Sequence, residues 1–320
     1  MTGQSGSFYK IVLLCGGTSS EREVSLASAT NVEKALSEAG HEIIKIDTAE
    51  PNFLTRIESL QPDVAFIALH GKGGEDGSLQ GALEILGIPY TGSGVLGSAL
   101  AMDKHRSKIM YQNAGFLTAP WVFFTADEKD NKKANPEAII EELGLPLVVK
   151  PVESGSSVGV SIVQRAEDLP GALEEAFSEN TGVLIEKYIK GIEVTISVIG
   201  AEEPFSLPTI EIIPSNEFYN YESKYAAGGS EHIIPARLDE ETLEKAGDIA
   251  VQAHKQLNCF GVSRSDTIVD EEKNVWMIET NTIPGMTGTS LLPDSAAHAG
   301  ISQQELYEMF ITWALERARR

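Results

Sequence analysis

The sequence predicts an α/β fold that begins with a mostly parallel sheet. Strand-like apolar runs, namely KIVLLC, EIIKID and DVAFIAL, alternate with amphipathic helical segments near 21–39, 53–60 and 78–86. Such alternation is typical of βαβ units. With 320 residues, of which 42% are hydrophobic, the chain is long enough for two or three domains with sizeable cores.

The composition argues against several classes of protein. A net charge of −22 is opposite to that of a nucleic-acid-binding surface, which needs clustered Lys and Arg. No apolar run approaches the roughly 20 residues of a membrane span, and the N-terminus lacks the pattern of a secretory signal. We therefore expect a cytoplasmic protein with no membrane partner. Cys15 and Cys259 have no metal-like spacing, and we assign them no role.

Two polar loops follow strands of the predicted sheet, at the edge where parallel sheets bind ligands. In the first, GGTSSERE, Glu21 is a candidate ligand-binding residue. Because Ser20 and Glu23 match a capping box, Glu21 could instead be only an acid favoured by a helix N-terminus. In the second, HGKGGEDGS, the position of His70 at the end of a strand favours function, although a lone His is more often structural.

The stretch GSGVLG at 92–97 formally matches a dinucleotide-binding fingerprint. No acidic residue ends a second strand about 20 positions later, so we interpret the stretch as a turn that opens a helix. A basic helical segment, AMDKHRSKIMYQN, follows at 101–113, and a second domain is expected to begin near Met102.

The segment LPLVVKPVESGSSVGV predicts a strand ending in Lys150, a loop and a second strand. The loop can present backbone N–H groups to phosphate oxygens, with Lys150 adding positive charge, although a flexible hairpin turn is the alternative. Glu186 and Glu193 lie near strand ends, where a carboxylate could accept hydrogen bonds from an adenine amino group or ribose hydroxyls; acids at such positions are more often solvated.

Residues 214–231 form a long aromatic loop without periodicity, which favours a lid over substrate. Further helices are expected near 136–143, 166–177, 239–257 and 302–318.

The most informative stretch is a predicted hairpin of VSRSDTIV and VWMIETN, joined by DEEKN. Because side chains alternate along a strand, Arg264 and Asp266 share one face of the first strand, and Glu279 and Asn281 share one face of the second. If those faces coincide, two carboxylates and an amide converge, which suits Mg²⁺. The alternative is a solvated hairpin with charged residues on its outer face.

Eight motifs occur in the order found in the D-alanine:D-alanine ligases of the ATP-grasp superfamily. They are GGTSSEREVSL, ALHGKGGEDGSLQG, PYTGSG, MDKHRSK, VVKP with GSSVGV, LIEKYI, YNYESKY and ETNTIPGMTGTSL. The chain resembles this family over nearly its whole length. The resemblance implies an ATP-grasp fold with an N-terminal α/β domain over 1–101 and two α+β domains over 102–190 and 191–320, which hold ATP between them.

The resemblance also implies the reaction and its cofactors. Two D-alanine molecules would be joined to D-alanyl-D-alanine through an acylphosphate and a tetrahedral intermediate, with release of ADP and phosphate, for peptidoglycan synthesis. ATP and Mg²⁺ are the implied cofactors, while Mn²⁺ and a monovalent cation remain open. The implied partners are D-alanine, ATP and a second copy of the chain in a homodimer.

Each matched residue acquires an expected role from the resemblance. The nucleotide is expected at Lys104, Lys150, Glu186, Lys187, Glu193 and Lys224. Mg²⁺ is expected at Asp266, Glu279 and Asn281. The first D-alanine is expected at Glu21, in a triad with Ser156 and Tyr225, and the oxyanion at Arg264 and the N–H of Gly285. The substrate-binding residues are expected to be His70, Ser290 and Leu291. Ser290 could also be a helix cap beside Pro293.

Three alternatives remain at this point. A D-alanine:D-lactate ligase is the nearest, and Tyr225 argues against it because it matches the dipeptide-forming family. A nicotinamide-binding dehydrogenase rests on GSGVLG alone. A catalytically silent nucleotide-binding module is the third.

Two departures from the family concern Ser265 and Thr267, where relatives more often place apolar residues, and the segment with Glu153 and Ser154, to which we assign no contact.

Overall fold

The computed structural model describes residues 8–128, 135–155, 159–179, 182–214 and 230–319. Within those ranges the strands form three sheets of three, four and seven strands. None of the helices in these ranges combines the length and the apolar character that crossing a bilayer requires.

The three-stranded sheet lies near the N-terminus and is parallel, in the order β2-β1-β3. Its strands are β1 (Lys10–Cys15), β2 (Glu42–Asp47) and β3 (Val64–Ile67). The helices that follow them are α1 (Arg22–Glu38), α2 (Phe53–Leu60) and α3 (Ser78–Ile85). The predicted α/β sheet is therefore confirmed, with element boundaries within two residues of those expected.

The basic segment expected to be helical over 101–113 is divided between two helices. Helix α4 (Val95–Met102) ends at Asp103, and α5 (Lys104–Asn113) begins after it. Asp103 has an extended backbone, and its Oδ1 accepts a hydrogen bond from the Arg106 N–H at 2.9 Å, which caps α5. The expected turn before a helix at GSGVLG is confirmed, because Gly94 lies at the N-cap of α4.

The four-stranded sheet is antiparallel, in the order β5-β8-β6-β7. Its strands are β5 (Trp121–Phe124), β6 (Leu147–Pro151), β7 (Ser161–Val163) and β8 (Val183–Lys187). Helices α6 (Pro136–Leu143) and α7 (Leu169–Ser178) pack against it through a shared apolar cluster.

The seven-stranded sheet has the order β12-β11-β9-β13-β14-β4, with β10 paired to β9. Its strands are β4 (Leu117–Thr118), β9 (Ile192–Gly200), β10 (Phe205–Ser206), β11 (Ile210–Pro214), β12 (Ser230–Ile233), β13 (Gly261–Val269) and β14 (Val275–Asn281). Helix α8 (Glu240–Gln256) covers it, with Ala246 and Ala250 packed among Val194 and Ile196.

The last two helices return to the N-terminal sheet. They are α9 (Leu291–His298), which the sequence indicated only through Ser290 as a possible helix cap, and α10 (Gln303–Ala318). Tyr307 and Phe310 of α10 are buried in the same core as Phe66 of β3, and the Tyr307 and Phe66 rings meet edge to face at 5.7 Å. The C-terminal helices therefore complete the N-terminal core, and the predicted domain boundaries remain predictions.

The unusual hydroxyl residues of β13 are buried and hydrogen-bonded. Ser265 Oγ lies 3.0 Å from Thr280 Oγ1, which also accepts a hydrogen bond from the Tyr111 hydroxyl at 2.7 Å. Thr267 Oγ1 donates to the Val194 carbonyl at 2.7 Å. Because each buried hydroxyl has a partner, these residues avoid the cost of unpaired polar groups. The packing doubt raised by the sequence is thereby resolved.

The substitution Tyr111→Phe is expected to lower the free energy of unfolding by about 1 kcal/mol, because it deletes one buried hydrogen bond without removing apolar contacts. Chemical unfolding monitored by circular dichroism would measure the change. Tyr9→Phe, at a partly exposed ring, is the matched control and should have a smaller effect. Equal effects of the two substitutions would contradict the importance of the buried network.

Candidate active site

The hairpin of β13 and β14 brings four predicted site residues together. Arg264 pairs with Asn281, and Asp266 pairs with Glu279, in the antiparallel register. The expected convergence of the two strand faces is therefore confirmed.

A β-bulge in this hairpin, which the sequence did not predict, divides β14 into two parts. The register passes from Asp266 opposite Glu279 to Thr267 opposite Met277, so that Ile278 is the extra residue. Without the bulge, Met277 and Glu279 would share a face, because side chains alternate. With it, Met277 packs in the apolar cluster of Tyr111 and Leu257, while Glu279 lines the cavities beside Asp266.

Asp266 is the centre of the polar contacts in the hairpin. Its carboxylate accepts from Arg264 Nε at 2.9 Å and Arg264 Nη2 at 2.8 Å. It also accepts from Thr195 Oγ1 at 2.5 Å and Asn281 Nδ2 at 3.2 Å. Glu279 Oε2 lies 3.3 Å from Lys104 Nζ. The bidentate pair of Arg264 with Asp266 fixes the orientation of both side chains.

The oxygen-rich donor set fits a hard divalent cation. Asp266 and Glu279 supply carboxylates, and Asn281 supplies an amide beside them. Mg²⁺ prefers few protein ligands and completes its shell with water and phosphate oxygens. Within the described ranges no three His, Cys, Asp or Glu side chains gather as a metal site, so a cation here would depend on ligands from substrate. It would also share Asp266 with Arg264.

A cleft of about 900 Å³ opens between the four-stranded and seven-stranded sheets. It is lined by Lys104, Lys150, Glu186, Lys187 and Glu193, which are the predicted nucleotide-binding residues within the described ranges, together with Asp266 and Glu279. The cleft is of the size that small-molecule sites have. Lys224 lies outside the described residues.

Glu186 binds two lysines at the wall of this cleft. Its Oε2 lies 2.6 Å from Lys150 Nζ, and its Oε1 lies 2.5 Å from Lys108 Nζ. Burial raises the pKa of Glu186, but the charges of Lys150 and Lys108 outweigh burial, and the net pKa is below the usual range. Lys108 was not predicted as a site residue, although it lies four residues after Lys104 on the same basic helix and hence on the same face.

A second cavity, of about 70 Å³, lies farther along the same face of the hairpin, toward Arg264 and Asn281. It is lined by the predicted residues Glu21, His70, Arg264, Gly285, Ser290 and Leu291 and by Asp266, Glu279 and Asn281. The two cavities therefore share Asp266 and Glu279. Ser156 and Tyr225, the other members of the predicted triad, lie outside the described residues.

Glu21 lies at the N-cap position of α1, but its side chain makes no cap hydrogen bond. The capping box proposed for Ser20 and Glu23 was wrong, because the helix begins at Arg22 and not at Glu21. The Glu21 side chain is buried, with the residue 6% exposed, and lines the small cavity instead.

Ser290 occupies the N-cap position of α9 without capping it. Its Oγ accepts from the Thr287 N–H at 3.0 Å and lies 2.7 Å from Thr287 Oγ1. A Cβ at Gly285 would lie 2.8 Å from the same Oγ, so a larger residue there would require Ser290 to move. Gly285 and Ser290 therefore pack closely together where they line the cavity.

His70 is a buried, neutral residue that positions the segment after the hairpin. Its Nδ1 lies 3.0 Å from the Ile283 carbonyl, and its Nε2 lies 3.0 Å from Ser28 Oγ, which accepts from the Met286 N–H at 3.2 Å. A carbonyl can only accept, so Nδ1 carries the proton and Nε2 accepts from Ser28. Burial lowers the pKa of His70 to about 4. Its direct contact with substrate stays a prediction.

Two residues of the small cavity were missed by the sequence analysis. Glu75 accepts from the Gly71 N–H at 2.7 Å and the Ile283 N–H at 3.1 Å. Burial, followed by repulsion from Glu21, raises the pKa of Glu75. His232 lines the cavity and binds Asp294 through Nδ1 at 2.8 Å. Glu75 could have been predicted, because it lies in the loop after β3 where ligand-binding residues were expected. No feature of the sequence around His232 indicated a site residue.

Comparisons with known proteins agree with this arrangement. A family model described as D-ala D-ala ligase C-terminus matches residues 110–312, and one described as D-ala D-ala ligase N-terminus matches residues 50–93. The D-alanine–D-alanine ligase of Pelotomaculum thermopropionicum is 47% identical over 309 residues, which are 96% of this chain and 97% of that protein. The corresponding ligase of Carboxydothermus hydrogenoformans is 44% identical over 308 residues, covering 96% and 98% of the two chains.

Solved structures give the same result. The D-alanine–D-alanine ligase from Bacillus anthracis complexed with ATP has a TM-score of 0.84 and 35% identity, covering 97% of this chain and 99% of that one. The VanG D-Ala:D-Ser ligase from Enterococcus faecalis has a TM-score of 0.82 and 32% identity, covering 96% and 100% of the two chains. The ATP-grasp fold implied by the sequence is thus confirmed.

The buried state of His70 predicts a loss of stability in mild acid. An unfolded histidine has a pKa near 6.5, whereas burial lowers the pKa of His70 to about 4. As pH falls from about 6.5 to 4, the unfolded chain binds a proton that the folded chain does not, which costs about 1.4 kcal/mol per pH unit. The variant His70→Gln should therefore lose less stability than the wild type between pH 7 and 5.

Urea unfolding midpoints at the two pH values would measure this difference. His298→Gln, at an exposed histidine, is the control and should keep the wild-type pH dependence. If His70→Gln kept it as well, the neutral buried state of His70 would be refuted.

Proposed function

Because this chain belongs to the D-alanine–D-alanine ligase family, we propose that it joins two D-alanine molecules to D-alanyl-D-alanine with ATP, releasing ADP and phosphate. The dipeptide would serve peptidoglycan synthesis in the cytoplasm. The observation that carries this proposal is the meeting of two cavities at one hairpin. A large cleft with buried lysines suits a nucleotide, and the small cavity with Glu21 and Arg264 suits an amino acid.

The first step would activate a carboxylate. The carboxylate oxygen of the first D-alanine attacks the γ-phosphorus of ATP, the bond to the β-phosphate oxygen breaks, and ADP leaves. Two anions must approach each other, so positive charge has to lie between them. Lys104 and Lys150 line the cleft and are both buried, and they would contact the phosphates. Glu21 would bind the ammonium group and hold this substrate in place.

The second step would form the peptide bond. The neutral amine of the second D-alanine attacks the acylphosphate carbonyl, the resulting tetrahedral oxyanion expels phosphate, and the nitrogen releases one proton. Arg264 and the N–H of Gly285 both line the small cavity, where they would stabilise the oxyanion. Ser290 and Leu291 would hold the second carboxylate. The rigid pairing of Arg264 with Asp266 preorganises the donor, which is how such sites stabilise charge.

Asp266, Glu279 and Asn281 would hold Mg²⁺. When bound, this cation would offset the negative charge of the phosphate groups. The remaining assignments, namely the triad of Glu21 with Ser156 and Tyr225, the phosphate contact of Lys224 and the three domain boundaries at 1–101, 102–190 and 191–320, are part of the same proposal. They rest on the family pattern.

Purified protein with ATP, Mg²⁺ and D-alanine should yield D-alanyl-D-alanine by mass spectrometry, and Arg264→Ala should lower kcat by about 10²–10³ because one oxyanion donor is lost. Arg56→Ala, at an exposed arginine paired with Glu50, is the matched control and should keep full activity. No product in the wild type, or preferential formation of the depsipeptide when D-lactate is added, would overturn the proposal. Unchanged kcat in Arg264→Ala would refute the role of Arg264.

We further propose a homodimer formed through helices α3 and α4. Residues 78–102 contain one charged residue, Glu84, although 22% of the chain is charged. Ile85, Leu96 and Val95 on these helices are 89%, 57% and 39% exposed. A charge-poor apolar surface suits a second copy of a chain whose net charge of −22 would otherwise keep copies apart.

The substitution Ile85→Glu should convert this dimer to a monomer, because it places a charge at the most exposed of these apolar side chains on each copy. Sedimentation velocity would measure the change. Leu54→Glu, on α2 and 36% exposed, is the control and should leave the dimer intact. A dimer that survives Ile85→Glu would exclude this surface, and a monomeric wild type would exclude the dimer.

A further inference from the structure

Lys108 is a buried cation that the proposed reaction does not use. Its side chain has 0% exposure, and its Nζ donates to Thr118 Oγ1 at 2.5 Å and lies 4.8 Å from the centre of the Trp121 ring. The third partner is Glu186 Oε1, at 2.5 Å. Burial lowers the pKa of Lys108 to about 8, with the charge of Glu186 opposing that shift. Burying an unpaired ammonium group would cost several kcal/mol of stability, and these partners offset that cost.

The two lysines on Glu186 occupy different positions relative to the cleft. Lys150 and Glu186 line it, whereas Lys108 does not and approaches Glu186 from behind. Trp121 on β5 lies opposite Glu186 in the strand register and covers Lys108. Thr118 Oγ1 in turn donates to the Met277 carbonyl at 3.1 Å, which connects Lys108 to β14.

The difference in position implies a difference in role once a nucleotide is bound. Lys150 is expected to turn toward phosphate oxygens, and its contact with Glu186 would then weaken. Lys108 is fully buried and does not line the cleft, so we expect it to stay with Glu186. The carboxylate therefore keeps one cation beside it in the occupied site.

Resting on the proposed function, we propose that Lys108 is a positioning residue that holds Glu186 ionised and directed at the purine edge, and so makes the cleft select adenine over guanine. A carboxylate only accepts hydrogen bonds, and adenine presents an amino group that donates. Guanine presents a carbonyl oxygen at the same position, which an ionised carboxylate repels. A neutral or displaced Glu186 loses that distinction.

The test measures binding of ATP and of GTP, each with Mg²⁺, by titration calorimetry in the absence of D-alanine. Lys108→Met should weaken ATP binding about tenfold without weakening GTP binding, and so reduce the ATP preference at least tenfold. The variant is expected to fold, because Lys150 still pairs with Glu186 in the free protein. If it is insoluble, Lys108→Gln, whose amide can still reach Thr118, gives the same comparison.

Two controls separate positioning from a general structural effect. Lys45→Met, which removes an exposed lysine paired with Glu33, should leave both affinities unchanged. When combined with Glu186→Gln, Lys108→Met should change ATP binding less than twofold further, because Lys108 acts through Glu186. Equal losses for ATP and GTP, or a tenfold loss that persists beside Glu186→Gln, would overturn the inference. A wild type that selects ATP but forms no dipeptide would overturn the proposed function alone.

Discussion

The pairing of β13 with β14 is the constraint on which the site depends. Strand pairing sets Arg264 opposite Asn281 and Asp266 opposite Glu279, and a slip of β14 by one residue would turn Glu279 and Asn281 to the other face. That other face already contains a buried polar network, because Thr280 is hydrogen-bonded there to Ser265 and to Tyr111. The bulge at Ile278 lets Met277 join the core while Glu279 faces the cavities. Core packing and site geometry therefore fix the same register.

The charge distribution follows from the same need to pair buried ions. The chain carries a net charge of −22, yet its large cleft is lined by buried Lys104 and Lys150, with Lys108 behind. Each lysine contacts a carboxylate, Glu279 or Glu186, which offsets the cost of burial. An anionic ligand that binds one of these lysines would replace the ion pair of that lysine with Glu279 or Glu186. The lysines are therefore paired with carboxylates in the free protein and can still supply positive charge to a bound anion.

Periodicity predicted much of the fold and one part of the site. The alternation in KIVLLC, EIIKID and DVAFIAL was enough for the parallel sheet, and the two-residue period was enough for the convergence of Arg264, Asp266, Glu279 and Asn281. The bulge at Ile278 was not predicted, because the strand-like sequence VWMIETN continues without interruption on both sides of it. His232 escaped because its neighbours are fixed by long-range contacts such as that with Asp294. Local sequence contains no record of such contacts.

The most direct measurement is a crystal structure of the protein with ADP, a phosphinate analogue of the dipeptide intermediate and Mn²⁺ in place of Mg²⁺, with the metal located by anomalous scattering. An anomalous peak within bonding distance of both Asp266 and Glu279, with the analogue against Arg264 and Gly285, is the result that the proposed mechanism predicts. A metal bound elsewhere while the nucleotide occupies the large cleft would contradict it.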